Sequence, residues 1–177
     1  MEPGVTADID LRHYTKDDLP EIRSTLLDVH ADAYADRMGE DFVQRFPWFV
    51  DRWGNKAGFS CVIGYQAGDP VGFSYGAPND PGNEWWREHV PEPDDASTFA
   101  VSELMLRVKW RKQGLSARLH EALISPRPEA HVTLTVDTQR PRLQALYESW
   151  AYRKVGEQQP FADSPLYAVM LRPLRSA

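Results

Sequence analysis

Glu103-Leu104-Met105-Leu106-Arg107-Val108-Lys109-Trp110-Arg111-Lys112-Gln113-Gly114-Leu115-Ser116 is the stretch whose reading decides the fold. It opens as a strand. Phe99 to Val108 has strand character, with Leu104, Leu106 and Val108 on one face and Glu103 on the opposite one. It closes as a helix, with Leu115, Leu119, Ala122 and Leu123 as the apolar stripe and Pro126 and Pro128 as the stop. Between the two lies a turn bearing Gly114. At such a strand-to-helix junction the first N–H groups of the helix have no intrahelical acceptor, and the positive end of the macrodipole points outward. Phosphate oxygens suit that position, and a glycine lets the backbone approach them closely. Residues 107–118 hold five cations (Arg107, Lys109, Arg111, Lys112, Arg118) and no acid. The junction therefore reads as an anion site.

Outward from it, the chain alternates strands and helices. Ile9 and Leu11 mark a first strand, and Thr15-Lys16-Asp17-Asp18 is a helix entry. A helix follows with Leu19, Ile22, Leu26, Leu27 and Val29 as its apolar positions and Pro20 in its first turn. A second helical stretch runs from Asp41 to Trp53, broken or kinked at Pro47. Phe59, Cys61, Ile63 and Tyr65, then Ala67-Gly68-Asp69-Pro70, then Val71, Phe73 and Tyr75 form a hairpin signal. After the junction helix, Val132, Leu134 and Val136 make a strand. Leu143, Leu146, Tyr147 and Trp150 make an amphipathic helix, and Arg153–Glu157 and Leu166–Leu171 make closing strands. The order gives a mixed α/β (α+β) domain with one strand-helix-strand crossover near its centre.

Residues 78–97 differ from the rest, with four prolines, six acids against Arg87 alone, and the pair Trp85-Trp86. Prolines at that density exclude a continuous strand or long helix, which leaves a long loop with a helical turn near Trp85–His89. Long loops inside a compact domain are often functional.

The junction resembles the signature of the GCN5-related N-acetyltransferase (GNAT) superfamily: a strand, then Arg/Gln-x-x-Gly-x-Gly/Ala, then a helix. A second block, Arg140-Pro141-Arg142-Leu143-Gln144-Ala145-Leu146-Tyr147-Glu148-Ser149-Trp150-Ala151-Tyr152, is similar to that family's Asn-x-x-Ala-x-x-Leu-Tyr-x-x-x-Gly-Phe/Tyr. The resemblance covers residues 98–174 well and the first half in outline. Four positions depart from it: Val108 for a proline, Ser116 for a smaller residue, Arg140 for the asparagine and Ala151 for the glycine.

The resemblance implies one GNAT-like domain over residues 1–177, with residues 78–97 as an insertion, acting as an acetyl-CoA-dependent N-acetyltransferase on a primary amine. It implies that Leu106, Arg107, Val108, Arg111, Lys112, Gln113, Gly114, Leu115, Ser116, Ala117 and Arg140 contact acetyl-CoA. Leu106 and Val108 would act through their main chain. It implies Tyr147 as the acid that protonates the departing thiolate. An ammonium with a pKa of about 10.4 must lose a proton before attack, and Glu103 is the first candidate to take it, ahead of Glu84, Asp80 and His89. Tyr34, Tyr75, Trp85 and Trp86 are the expected acceptor-side residues, and the acidic loop is placed to attract a cationic amine. The acceptor itself stays open among polyamines, aminoglycoside-like compounds, amino acids and protein N-termini. A CoA-binding regulatory or interaction module without transfer is the alternative reading.

Composition bounds these readings. At 177 residues one domain is expected, and such a chain is long enough to bury a core without staples. Cys61, the one cysteine, excludes an internal disulfide and a multi-cysteine zinc site, and the five histidines show no ligand spacing, so no metal is expected. The Met1–Asp10 stretch lacks the pattern of a secretory signal, and no run of about 18 apolar residues exists. A cytoplasmic protein without a membrane partner is expected. A net charge of −6 disfavours nucleic acid. The absence of G-x-x-x-x-G-K-[ST] and of G-x-G-x-x-G disfavours a nucleotide in the same turn. A homodimer is compatible with the resemblance.

Overall fold

A computed structural model describes residues 8–174. Most of the Met1–Asp10 stretch lies outside the described residues. The chain divides into two compact units, Met1–Ala77 with Glu103–Pro126, and Pro78–Ser102 with Arg127–Ala177.

In the first unit, β1 (Ile9–Thr15) pairs antiparallel with β2 (Ser60–Gln66), and β2 pairs antiparallel with β3 (Asp69–Pro78). The hairpin turn is tighter than the sequence pattern indicated. It uses only Ala67 and Gly68, at φ 50° and 86°, the left-handed geometry that matches strand twist. Thr15 and Asp18 form a reciprocal capping box ahead of α1 (Leu19–Ala33). Pro20 occupies the first turn of α1, where its missing N–H costs nothing. The expected helix at 41–53 is two helices, α2 (Asp41–Gln44) and α3 (Phe46–Gly54), broken at Arg45 with Pro47 in the first turn of α3. Leu19, Ile22, Leu26 and Val29 of α1 and Phe46 and Val50 of α3 share one core with Cys61, Ile63, Phe73, Tyr75 and Met105. After β4 (Thr98–Leu106), α4 (Leu115–Ile124) buries Leu115, Leu119 and Leu123, one residue per turn.

In the second unit, Thr98–Ala100 of β4 pair parallel with His131–Thr133 of β5 (His131–Asp137). Antiparallel β7 (Tyr167–Pro173) follows β5, and β6 (Arg153–Gln158) follows β7. The hydrogen-bonded strand order is β1-β2-β3-β4-β5-β7-β6, a mixed α/β sheet as expected. Residues 79–97 form a long loop without helix or strand, with turn structure at 85–89, as the prolines implied. Trp86 is fully buried, donates from Nε1 to Thr98 Oγ1 at 2.8 Å and lies 6.2 Å from the His131 ring. The His89 ring sits so closely over Gly156 that a Cβ there would collide with it.

Between β5 and β6 runs α5 (Pro141–Ser149). It ends in two reverse bonds, Ala151 N–H to Glu148 O and Tyr152 N–H to Tyr147 O, both 3.1 Å, with Ala151 at φ 73°. This is a Schellman ending, and its left-handed residue is normally glycine because a Cβ costs about 1–2 kcal/mol there. Ala151→Gly is expected to raise stability by about 1 kcal/mol. Urea unfolding checks this, as a higher midpoint at unchanged slope.

Candidate active site

β4 ends at Leu106, two residues earlier than the sequence pattern indicated. Val108–Trp110 form a 3-10 turn, and Val108 is exposed. The sheet pairing carries one residue past the strand end, and the donor after that leaves the sheet. Arg107 N–H reaches Val71 O at 2.9 Å, and Val108 N–H reaches the Asp32 carboxylate at 3.3 Å. The turn into α4 then uses two left-handed residues, Lys112 at φ 63° and Gly114 at φ 77°. Leu115, buried beside it, fixes the helix start. Gly114 occupies the cap position, and no side chain caps α4. A Cβ built at Gly114 meets nothing within 4 Å. The space beside Gly114 is therefore open and α4 starts without a side-chain cap, which suits phosphate oxygens.

The cation cluster is partly committed to the scaffold. Arg107 Nε donates to Pro70 O at 2.8 Å and Nη1 to Asp32 at 3.2 Å. Arg111 Nη2 donates to Ala33 O at 2.9 Å, and Arg118 Nη2 to Ile9 O at 3.4 Å. Lys109 lies 5.5 Å from the Trp110 ring, and Gln113 Nε2 donates to Lys109 O at 3.3 Å. Arg107 and Arg111, expected as cofactor contacts, have structural partners because α1 and β3 offer them carbonyl and carboxylate oxygens. Lys112 has no ion-pair partner among the described residues and is exposed on the turn. Ser116 and Ala117 are half-buried in the first turn of α4. Sequence reading did not single out Asp32. The available signal was an acid in the last turn of a helix, where the macrodipole disfavours it.

Glu103 also belongs to the first unit. Strand alternation puts it on the face of β4 where Met105 enters the core under α1 and α3. Glu103 is half-buried, and burial pushes its carboxyl up to about 8. Its carbonyl accepts Ser74 Oγ at 2.7 Å. Of the aromatics expected on the acceptor side, Tyr75 is fully buried and stacked 5.8 Å from Phe73. It presents no surface to an acceptor, which corrects that expectation. Tyr34 is half-buried at the end of α1 and stacks at 4.8 Å on His30. His30 stacks at 4.0 Å on Phe46, and burial lowers its pKa to about 4, so the ring is neutral at higher pH.

Tyr147 and Arg140 belong to the second unit. Tyr147 is 7% exposed and packs edge-on against Trp150 at 5.5 Å and Tyr152 at 6.1 Å. Arg140 is exposed at the start of α5. Trp86 is core, a second correction to the acceptor list, because its hydrogen bond to Thr98 and its complete burial use the whole ring. Trp85 is half-buried, and its N–H reaches Asn79 Oδ1 at 3.3 Å. Glu84 is buried and bonded to Arg87 at 2.6 Å, which holds its carboxyl below the usual range. A carboxylate held in that way is a poor proton acceptor at neutral pH, so Glu84 drops from the base candidates. Arg87 also reaches Glu92 at 3.3 Å. Part of the acidity of residues 78–97 is thus balanced locally.

Among the described residues, no group of three or more His, Cys, Asp or Glu is placed to hold a metal ion. No described helix is long and apolar enough to cross a membrane.

No protein-family model matches the sequence, and no curated protein matches it. Solved structures do. Arabidopsis thaliana NAA60 in complex with acetyl-CoA superposes with a TM-score of 0.67 at 14% identity, over 94% of this chain and 98% of that one. An acetyltransferase from Thermus thermophilus gives 0.61 at 15% identity, over 93% and 96%. A GNAT-family acetyltransferase from Bacillus cereus gives 0.63 at 12% identity, over 94% and 97%. At such identities the likeness speaks for the fold, and the fold of this chain is that of the GNAT acetyltransferases.

Proposed function

We propose that the protein is an acetyl-CoA-dependent N-acetyltransferase acting on a primary amine. The observation that carries this reading is the uncapped start of α4 behind the left-handed, unobstructed Gly114, within a chain of GNAT fold. Backbone N–H groups of residues 113–117 bind the pyrophosphate, and Lys112 adds the exposed positive charge. The co-substrate supplies an activated acetyl thioester. Leu106 contributes main-chain contacts at the end of β4, while Val108, its N–H held by Asp32, sits exposed in the turn that follows. Glu103 takes the proton from the acceptor ammonium. A carboxyl raised to about 8 is a better acceptor than an ordinary one, because its basicity lies near the working pH. Tyr147 donates a proton to the thiolate. A thiol pKa of about 8.5 makes that leaving group tolerable unaided, so the donation assists rather than dictates the rate. Tyr34 and Trp85 are the acceptor-side aromatics that retain surface. The protein works in the cytoplasm as a monomer or a homodimer.

Three measurements test this reading. Gly114→Glu places an anion at the turn and forces a side chain into a left-handed residue. Acetyl-CoA affinity by calorimetry is expected to fall at least about tenfold, and unchanged affinity removes the turn from the site. Tyr147→Phe is expected to lower turnover about tenfold or less with little change in acetyl-CoA affinity, followed as thiol release with a panel of amines.

Glu103→Gln acts on pH dependence. In the folded chain Glu103 keeps its proton up to about 8, against 4.5 ordinarily, so across that window the folded state binds more protons than the unfolded one. Stability contributed by this group therefore falls as pH rises from about 4.5 to about 8 and is level beyond. In Glu103→Gln that part of the decline is expected to vanish from urea midpoints. The rise of kcat/KM through about pH 8 is expected to vanish with it. A variant with the parental pH–rate profile removes Glu103 as the base.

A further inference from the structure

An acid in the last turn of a helix faces the negative end of the macrodipole. Asp32 sits there in α1, and the nearest basic candidate on that turn, His30, is neutral above about 4. Nothing within α1 explains Asp32. Its partners lie more than seventy positions away in sequence, in the segment between β4 and the anion-binding turn. Its two carboxylate oxygens take Val108 N–H at 3.3 Å and Arg107 Nη1 at 3.2 Å. The next residue, Ala33, gives its carbonyl to Arg111 at 2.9 Å. Arg107 is held from its other side by Pro70 O and Val71 O. Three donors of residues 107–111 thus converge on two consecutive residues of α1.

That segment needs an external anchor. It leaves β4 after Leu106, makes a single 3-10 turn, and enters α4 through Lys112 and Gly114, both left-handed. A lysine disfavours that conformation, and the segment's own backbone bonds, Trp110 N–H to Arg107 O at 3.0 Å and Arg111 N–H to Val108 O at 3.3 Å, end before it. A turn that must present several N–H groups to one ligand binds best when its shape is set beforehand.

We propose that Asp32 is a positioning residue for the anion-binding turn. By fixing Arg107 and the Val108 N–H it sets the path of the chain into Gly114, without itself touching the ligand. The proposal rests on the reading of that turn as the acetyl-CoA phosphate site. It also places Tyr34, the half-buried aromatic that follows Ala33, two residues from the same anchor.

Calorimetry with acetyl-CoA on Asp32→Ala, Asp32→Asn and Asp28→Asn tests it. Asp28→Asn removes an equal charge from an exposed position of α1 and controls for net charge. The expected result is a Kd raised about tenfold in Asp32→Ala, about threefold in Asp32→Asn, which keeps an acceptor for Val108 N–H, and unchanged in Asp28→Asn. At saturating acetyl-CoA, kcat is expected to stay near the parental value while KM for acetyl-CoA rises. A purely structural role lowers the thermal midpoint and leaves Kd unchanged in the folded variants, and that result overturns the proposal. If Asp32→Ala does not fold, Asp32→Asn decides by the same criterion. If the parental protein binds no acetyl-CoA while Gly114→Glu is equally inert, the acetyltransferase reading fails separately. Amide hydrogen exchange across residues 107–116 then decides on Asp32. Faster exchange in Asp32→Asn than in Asp28→Asn sustains the anchor, and equal exchange removes it.

Discussion

The period of two along β4 is the constraint from which the candidate chemistry follows. Met105 must enter the core beneath α1 and α3, where Phe73, Tyr75 and Phe46 already lie. The residue two positions earlier shares that face whatever its character. A carboxylic acid there is held half-buried, with only part of its side chain left to water. Desolvation then raises its pKa, and the same packing that stabilises the first unit sets the basicity of Glu103. Fold stability and proton affinity are opposed at this position. The ionised form that accepts a proton is the form that the core disfavours.

Local rules made much of this architecture readable from the chain. Alternation in Phe59–Tyr75 announced the hairpin, and the apolar spacing of α1, α4 and α5 is visible without coordinates. Gly114 before Leu115 located the helix entry because few other residues adopt φ 77° cheaply. What escaped reading depends on partners distant in the chain. The strand pattern ran on to Val108 because nothing in residues 99–108 reveals that Asp32 takes the Val108 N–H. The protein partners of Arg107 and Arg111 were equally invisible, because a sequence shows charge without showing Pro70 O, Asp32 and Ala33 O beside it.

Within residues 78–97 the loop was legible, and the place of Trp86 was not. Proline and acid content describe the backbone and the solvent-facing side chains, and they correctly excluded a strand or long helix. They do not report that a single tryptophan enters a core. The burial of Trp86, with its indole N–H on Thr98, anchors the segment to the second unit and takes that ring off the acceptor side. Ala151 is the converse case. It departs from the glycine of the resembled motif, yet its φ of 73° preserves the backbone shape that the glycine would provide. The departure costs stability and leaves the geometry around Tyr147 as a glycine would leave it.

The contact between His89 and Gly156 carries a consequence for the history of this chain. One partner is a ring in a segment rich in proline, the other a strand position whose lack of a side chain makes room for that ring. Neither can change freely while the other stays. A lineage that acquires a side chain at position 156 must first shrink or relocate residue 89, and a lineage that loses the ring leaves position 156 free to diversify. Among relatives of this chain the two positions are therefore expected to vary together. Glycine at 156 would then mark those in which residues 78–97 pack as they do here.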